Sequence, residues 1–134
     1  MKEKVYTGGC RCGDVSYSCT GEPYDVGNCH CIDCQKSSGA PFITWATYKL
    51  KNFTIHSNKL KEICLNEGVT RGFCEKCGTN LTWQSASYPN WIVVSVMSID
   101  EQTWKPEYES HLSSKVSWVK TIDNIPHYSK GPKY

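Results

Sequence analysis

The strongest constraint on how this 134-residue chain folds comes from its nine cysteines, because seven of them fall into three short groups. Two groups are cysteine pairs beside glycine, and they read Gly8-Gly9-Cys10-Arg11-Cys12-Gly13 and Cys74-Glu75-Lys76-Cys77-Gly78. Glycine adopts the positive φ angles of a tight turn, so it lets a short loop aim two thiolates at one point. Two such pairs, distant in sequence, are typical of a structural zinc ion that four thiolates close and that joins distant parts of a chain. Two unrelated reduced pairs are the alternative.

The third group, Cys29-His30-Cys31-Ile32-Asp33-Cys34, provides three sulfur donors within six residues and has no fourth cysteine beside it. A zinc ion with three protein ligands keeps a position for water or substrate, which is a property of catalytic zinc sites. An open zinc would bind a further thiol, lower its pKa and hold the thiolate for attack on a small carbonyl compound. A closed site completed by Cys19, Cys64 or a histidine is the alternative.

The remaining cysteines, histidines and nearby cations give weaker signals. His30 lies between two of the expected ligands and should point away from their metal, on the surface or behind a ligand. Cys19 and Cys64 lie in expected strands, where a cysteine is most often a small core residue. His111 has no neighbours at metal-ligand spacing and is expected to pack. Three cations near the cysteine groups could meet the carboxylates of an acidic thiol ligand: Arg11, Lys36 and Arg71.

Charge, hydropathy and cysteine usage exclude several classes of function. The formal net charge is +2 and no run of Lys and Arg forms a basic stripe, which argues against a nucleic-acid partner. The longest apolar stretch, Trp91 to Ile99, is about half of the roughly 20 residues that a membrane-spanning helix needs, and residues 1–10 lack the apolar segment of an export signal. An odd number of cysteines fits poorly with a closed set of disulfides. We therefore expect a cytoplasmic protein with reduced, metal-binding cysteines.

Short runs of β-branched and aromatic residues predict a mainly β fold in a single domain that covers residues 1–134. Most runs alternate apolar and polar residues, which favours antiparallel sheets with one face on the core and suggests a sandwich or an open barrel-like pair of sheets. Helical turns are expected only at Cys31 to Ser38 and at Ile99 to Gln102. The expected strands are Asp14 to Cys19, Phe42 to Tyr48, Phe53 to Ser57, Glu62 to Leu65, Thr70 to Phe73, Leu81 to Trp83 and Trp91 to Met97.

Taken together, the three cysteine groups resemble the glutathione-dependent formaldehyde-activating enzyme family, which also includes relatives of centromere protein V. The first matching segment contains Cys10 and Cys12, the second runs from Cys29 through Cys34 to Gly39, and the third runs from Phe73 to Thr79. The resemblance covers nearly the whole chain, from about Gly8 to Pro132, and includes three segments near the C-terminus: His111-Leu112, Ser117-Trp118-Val119 and Asp123-Asn124-Ile125-Pro126-His127-Tyr128.

The resemblance implies a small, zinc-stapled β-tent of antiparallel sheets with two zinc ions per chain. The structural zinc would lie on Cys10, Cys12, Cys74 and Cys77, and the open zinc on Cys29, Cys31 and Cys34. The second zinc is expected to be only partly occupied, because three thiolates release metal more readily than four. The family condenses formaldehyde with glutathione to S-hydroxymethylglutathione, a reaction classed as a carbon–sulfur lyase in the reverse direction. The cysteines of the open site would then act in catalysis through their zinc, on a small-molecule thiol and a small aldehyde.

Three alternatives to this function stay open. The namesake enzymes of the family are longer, so this chain could accept a thiol other than glutathione. It could also be a non-catalytic zinc-binding module for protein or nucleic acid, which would expose a basic or apolar patch, or a metal buffer with a closed second site. The sequence indicates neither the proton donor nor the oligomeric state.

Overall fold

The computed structural model describes residues 3–57, 59–66 and 68–132, which fold mainly into β-strands. The described part of the chain has one α-helix, α1 (Ile32–Ser38), and 3₁₀ turns at Leu50–Asn52, Val96–Ser98 and Leu112–Ser114. The strands are β1 (Val5–Gly9), β2 (Ser16–Thr20), β3 (Asp25–Cys29), β4 (Ile43–Lys49), β5 (Phe53–Ile55), β6 (Leu60–Asn66), β7 (Val69–Cys74), β8 (Asn80–Ser85), β9 (Trp91–Ser95) and β10 (Glu109–Ser110).

The strands form two sheets. The smaller sheet has three strands in the order β1-β2-β5, and the larger has seven in the order β10-β3-β4-β9-β8-β7-β6. Neighbouring strands run antiparallel, except that β10 pairs with β3 in parallel over two residues. The mainly β fold of antiparallel sheets is therefore confirmed, with this short parallel pair as the exception. Within the described ranges, no helix has the length and apolar character that crossing a membrane requires.

The main core lies between the sheets and follows from the alternation of side chains along the strands. Tyr17 of the small sheet packs in one cluster with Ala46 and Val94 of the large sheet, and all three are at most 1% exposed. Trp45 and Val93 are the sequence neighbours of Ala46 and Val94, so they point to the opposite face of the large sheet. There they belong to a second, smaller apolar cluster that contains the third cysteine group. The large sheet thus separates the main core from the face that carries this group.

Each predicted strand corresponds to an observed one, with ends displaced by a residue or two, but β1, β3 and β10 were not predicted. The sequence of β3, Asp-Val-Gly-Asn-Cys, contains three residue types that are depleted in strands, and it is extended here because β4 and β10 flank it. The helix at Cys31 to Ser38 is confirmed as α1. The helical turn expected at Ile99 to Gln102 is wrong, because Ile99 forms a β-bridge with Gly8 and holds the chain extended there.

Candidate metal centres and the adjoining groove

The first cysteine group is built from two tight loops, one after β1 and one at the end of β7. In the first loop, the Cys10 sulfur accepts a hydrogen bond of 3.2 Å from a backbone N–H across the loop, and Gly13 has a φ of +86°. In the second, the Cys74 sulfur accepts a hydrogen bond of 3.4 Å from the N–H of Cys77, and Gly78 has a φ of +79°. Each loop therefore uses a glycine in the left-handed region to turn backbone amides toward sulfur.

The two loops bring four sulfurs together. The Sγ atoms of Cys10, Cys12, Cys74 and Cys77 all lie within 4.8 Å of one another. The Sγ of Cys12 is 3.6 Å from that of Cys10 and 3.7 Å from that of Cys74. Zinc–sulfur bonds of about 2.3 Å in a tetrahedron separate the sulfurs by about 3.8 Å. Both the donor atoms and their spacing therefore fit a zinc ion closed by four thiolates.

Thr79 connects the two loops and acidifies one of the thiols. Its hydroxyl lies 3.1 Å from the Cys77 sulfur and accepts a hydrogen bond of 3.1 Å from the backbone N–H of Arg11. The hydrogen bond from this hydroxyl lowers the pKa of Cys77 to about 5. The lowered pKa favours the thiolate, which is the form that binds metal.

The third cysteine group lies where β3 ends and α1 begins. Cys29 is the last residue of β3, Cys31 is the N-cap of α1, and Cys34 lies in the first turn of the helix. The Cys31 sulfur accepts a hydrogen bond of 3.2 Å from the N–H of Cys34, as a capping side chain does. The three Sγ atoms lie within 4.8 Å of one another, and no further Cys, His, Asp or Glu of the described residues joins the group.

Surrounding groups shift the protonation of these three thiols in different directions. The Cys31 thiol has a lowered pKa, because the thiols of Cys29 and Cys34 hydrogen-bond to its sulfur, and electrostatic interaction with His111 adds to the shift. The Cys29 thiol has a raised pKa, because it hydrogen-bonds to Cys31 and Cys34 and is partly buried. The indole N–H of Trp45 donates a hydrogen bond of 3.5 Å to the Cys34 sulfur. Cys31 is thus the position in this group where negative charge is best stabilised.

His30 points away from the three sulfurs, as expected, but it is buried and does not lie on the surface. Its Nε2 donates a hydrogen bond of 2.7 Å to Oε1 of Glu109, and the other carboxylate oxygen accepts one of 2.9 Å from the backbone N–H of Ile122. The His30 ring also packs on Phe42, with 4.9 Å between ring centroids. The sequence carried no signal for Glu109, because it lies 79 residues from His30.

A groove of about 440 Å³ lies on the same face of the large sheet as the third cysteine group. Thr47, Val93 and Trp83 form its floor, and they share a face because they are paired across β4, β9 and β8. Trp83 and Val93 also pack against the cluster that contains Cys34, so the groove adjoins the cysteines. The volume is in the range of small-molecule sites.

His111, which the sequence indicated only as a packing residue, lines this groove. It has a φ of +56°, which is in the left-handed region, and it precedes the last 3₁₀ turn. It directly follows Ser110, which is paired with Cys29 across β10 and β3, so it lies near the third group. Only the tertiary structure brings it there, because no local spacing connects it to the cysteines.

The two isolated cysteines lie outside both groups. Cys19 is fully buried in the main core, as predicted. The same prediction is wrong for Cys64, which is exposed on β6. β6 is the last strand of the large sheet, and among the described residues no strand pairs with its far edge. Within the described residues, neither cysteine completes the third group.

The fold and the cysteine groups define a class of protein: a small two-sheet β protein with two cysteine centres suited to zinc. The family model described as glutathione-dependent formaldehyde-activating enzyme matches residues 5–114. This chain therefore belongs to the glutathione-dependent formaldehyde-activating enzyme family, which confirms the resemblance. The matched range contains all three cysteine groups and His111. Two C-terminal segments that also resemble the family lie after it, namely Ser117-Trp118-Val119 and Asp123-Asn124-Ile125-Pro126-His127-Tyr128.

Among solved structures, the crystal structure of a protein from Rhodobacter sphaeroides is similar in fold. The two chains are 21% identical, with a TM-score of 0.59, over 91% of this chain and 98% of the other. At this identity, the likeness establishes the fold alone. No curated protein matches this chain at a significant level.

Proposed function

We propose that this chain, as a single domain of residues 1–134, binds two zinc ions and promotes the addition of a thiol to formaldehyde. The family's thiol is glutathione, so the default product is S-hydroxymethylglutathione and the activity is of the carbon–sulfur lyase type. One observation carries the proposal: three thiols meet beside a groove, with no fourth ligand among the described residues. A centre of this kind leaves a coordination position for a substrate.

Cys10, Cys12, Cys74 and Cys77 are proposed to hold the structural zinc. These cysteines join the loop after β1 to the loop after β7, so they connect the small sheet to the large one. The free energy of binding such a zinc counts as folding free energy, on the order of 10 kcal/mol in small zinc domains. Removal of one of these thiols should therefore weaken the whole fold.

Cys29, Cys31 and Cys34 are proposed to hold the second zinc. When bound, this zinc lowers the pKa of a substrate thiol and keeps its sulfur in place. The protein contributes the position of the three sulfurs, which α1 and the Trp45 indole orient, and a groove that removes water from the substrate. No protein nucleophile is then required.

The reaction joins sulfur to carbon without oxidation or reduction. The thiolate sulfur attacks the aldehyde carbon, a carbon–sulfur bond forms, and the π electrons of the C=O bond move to oxygen. The oxygen takes up one proton, which balances the proton that the thiol lost. His111 lies where the groove meets the cysteine group, so its imidazole is placed to hydrogen-bond with the developing alkoxide. We place this activity in the cytoplasm, where the cysteines stay reduced.

Zinc content and thiol binding together test the proposal. Wild type should contain up to two zinc ions per chain and bind 2-mercaptoethanol and glutathione in calorimetric titrations. Cys31→Ser keeps an N-capping oxygen for α1 but removes a thiolate, so it should lose thiol binding and keep its fold. Cys64→Ser, which alters an exposed cysteine outside both groups, is the control and should behave as wild type.

The same measurements distinguish this proposal from a non-catalytic zinc module. Two zinc ions with no binding of any thiol, or a single zinc even after incubation with excess zinc, would indicate that the third group is structural or unused. In that case, binding assays with candidate protein partners would be the next measurement.

A further inference from the structure

Arg71 lies at the end of the row of side chains that forms the floor of the groove. Thr47, Val93 and Trp83 form this floor, each paired with the next across β4, β9 and β8. Arg71 of β7 is in turn the direct partner of Trp83. Directly opposite residues of neighbouring strands project to the same face of a sheet, about 5 Å apart. The Arg71 side chain therefore projects from the groove face, one strand beyond Trp83.

The guanidinium of Arg71 has no counter-ion among the described residues. Arg71 takes part in no ion pair there, and its Nη1 is buried without a hydrogen-bond partner. The strand partner on its other side is Ile63, which carries no charge. The neighbouring acid, Glu62, pairs with Gly72 and so points to the opposite face of the sheet. A dehydrated guanidinium nitrogen without a partner is unfavourable, so an acceptor that reaches it gains more than it would from a hydrated one.

A carboxylate is the acceptor that suits this guanidinium, because its two oxygens match the planar N–H donors of arginine. Arg11 and Lys36, the other cations that the sequence indicated near the cysteines, are exposed. Lys49 pairs with Trp91 at the groove and is exposed as well. Water already solvates such side chains, so an ion pair with them contributes little. Arg71 is half-buried, and the same hydrogen bonds are stronger there.

We propose that Arg71 determines which thiol this chain accepts, by pairing with a carboxylate of the substrate while the substrate sulfur lies at the third cysteine group. This inference rests on the proposed function and deepens it, because it assigns recognition of the thiol to one residue. Glutathione, which carries two carboxylates, belongs to the class of acidic thiols. The chemistry of the adduct is unchanged, because the sulfur still adds to the aldehyde carbon and the carboxylate takes no part in the reaction.

The layout of the sheet fits such a ligand. Trp83 and Val93 pack against the cluster that contains Cys34, so the floor begins beside the sulfurs. Arg71 starts one strand beyond Trp83, at a spacing of about 4.8 Å. A flexible chain of several bonds between sulfur and carboxylate can cross this distance while it lies on the apolar surface of the floor. Sulfur at one end and a carboxylate at the other therefore meet the matching chemistry at both ends.

Calorimetric titration of the zinc-loaded full chain with a matched pair of thiols tests this inference. 6-Mercaptohexanoate and 6-mercapto-1-hexanol carry the same sulfur on the same straight chain and differ in the end group, which is a carboxylate or a hydroxyl. Because hydrogen bonds between charged groups are worth at least about tenfold in affinity, the acid should bind at least about tenfold more tightly than the alcohol. Zinc content is measured after each titration, to show that the thiol has not removed the metal.

Three variants assign the preference to a residue. Arg71→Gln removes the charge and keeps a polar side chain, so it should bind the alcohol as wild type does and reduce the advantage of the acid to within about threefold. Arg71→Lys keeps the charge but loses the bidentate geometry, so its preference should fall between those of wild type and Arg71→Gln. The matched control is Lys49→Gln, which removes an exposed cation of the groove face and should keep the wild-type preference.

The outcomes separate this inference from the proposed function. Equal binding of the two thiols by wild type would overturn the inference alone, and so would a preference for the acid that survives in Arg71→Gln. Loss of the preference in Lys49→Gln would also overturn it, because the carboxylate would then lie at the other cation. If Arg71→Gln binds neither thiol, Arg71 supports the site as a whole and the inference fails. If wild type binds no thiol, the proposed function and the inference both fail.

Discussion

The buried contact between His30 and Glu109 offers the most quantitative test of how the C-terminal part of the chain supports the third cysteine group. Both side chains are at most 2% exposed. Glu109 accepts hydrogen bonds from His30 Nε2 at 2.7 Å and from the backbone N–H of Ile122 at 2.9 Å. Glu109→Ala would leave the buried His30 N–H without its partner, at about 1–3 kcal/mol. It would also remove the acceptor of the Ile122 N–H, at about 0.5–1.5 kcal/mol, because Ile122 is 42% exposed and water can take the place of the carboxylate. We therefore expect a loss of about 1.5–4.5 kcal/mol, a large part of the 5–15 kcal/mol typical of a domain.

The assay is urea unfolding of the zinc-loaded chain, followed by tryptophan fluorescence. Glu109→Gln keeps an acceptor oxygen and nearly the same volume, so it should lose only about 1 kcal/mol or slightly more. Glu107→Ala, an exposed change two residues away, is the control and should have an effect within about 0.5 kcal/mol. A loss below about 1 kcal/mol for Glu109→Ala would refute the reasoning, because it would mean that the buried His30 N–H finds another partner.

A double-mutant cycle with His30→Ala isolates the contact itself. If the two side chains act as a pair, the combined loss should be smaller than the sum of the single losses by about 1 kcal/mol or more. Additive losses would mean that each residue stabilises the fold through other neighbours.

Three further predictions concern the cysteine groups and the backbone. Cys74→Ala should leave little folded protein in a thermal melt, whereas Cys31→Ser should melt close to wild type, and the reverse ranking would refute the division into structural and open sites. Trp45→Phe keeps a ring but removes the N–H that bonds to the Cys34 sulfur, so zinc affinity at this group should fall about tenfold in a chelator competition, while unchanged affinity would contradict a role for the indole. Gly27→Ala places a methyl group against a packed tyrosine ring, and a loss of about 1–3 kcal/mol is expected in urea unfolding, whereas a neutral result would show that the ring moves aside.

The sequence predicts the elements of this protein that depend on neighbouring residues. Alternation along β2, β4 and β9 assigns one side chain to the core and the next to the opposite face, and the structure follows this pattern. The glycines at 13 and 78 predict the two loops of the first cysteine group, because each loop needs a positive φ within a residue or two of its cysteines. That these cysteines hold zinc stays a prediction.

Other parts of the molecule depend on contacts between distant residues. β3 has a sequence of low strand propensity and is extended because it pairs with β4 and β10. Cys64 lies outside the core because β6 is the last strand of its sheet, a position that alternation cannot reveal. The same limit explains the failed helical turn at Ile99, where a bridge to Gly8 overrides the local pattern.

The cysteine spacing by itself predicted two metal-type centres, because sulfur donors a few residues apart must share one neighbourhood, but it left open whether Cys19, Cys64 or a histidine would complete the second. The tertiary structure alone decided that none of these joins it among the described residues, and it also decided the surroundings of that centre. Glu109 reaches His30, and His111 reaches the groove, because β10 pairs with β3 and carries the C-terminal segment across the sheet. The groove itself exists because β4, β9 and β8 place side chains from three separate parts of the chain on one face, and no local pattern encodes that arrangement.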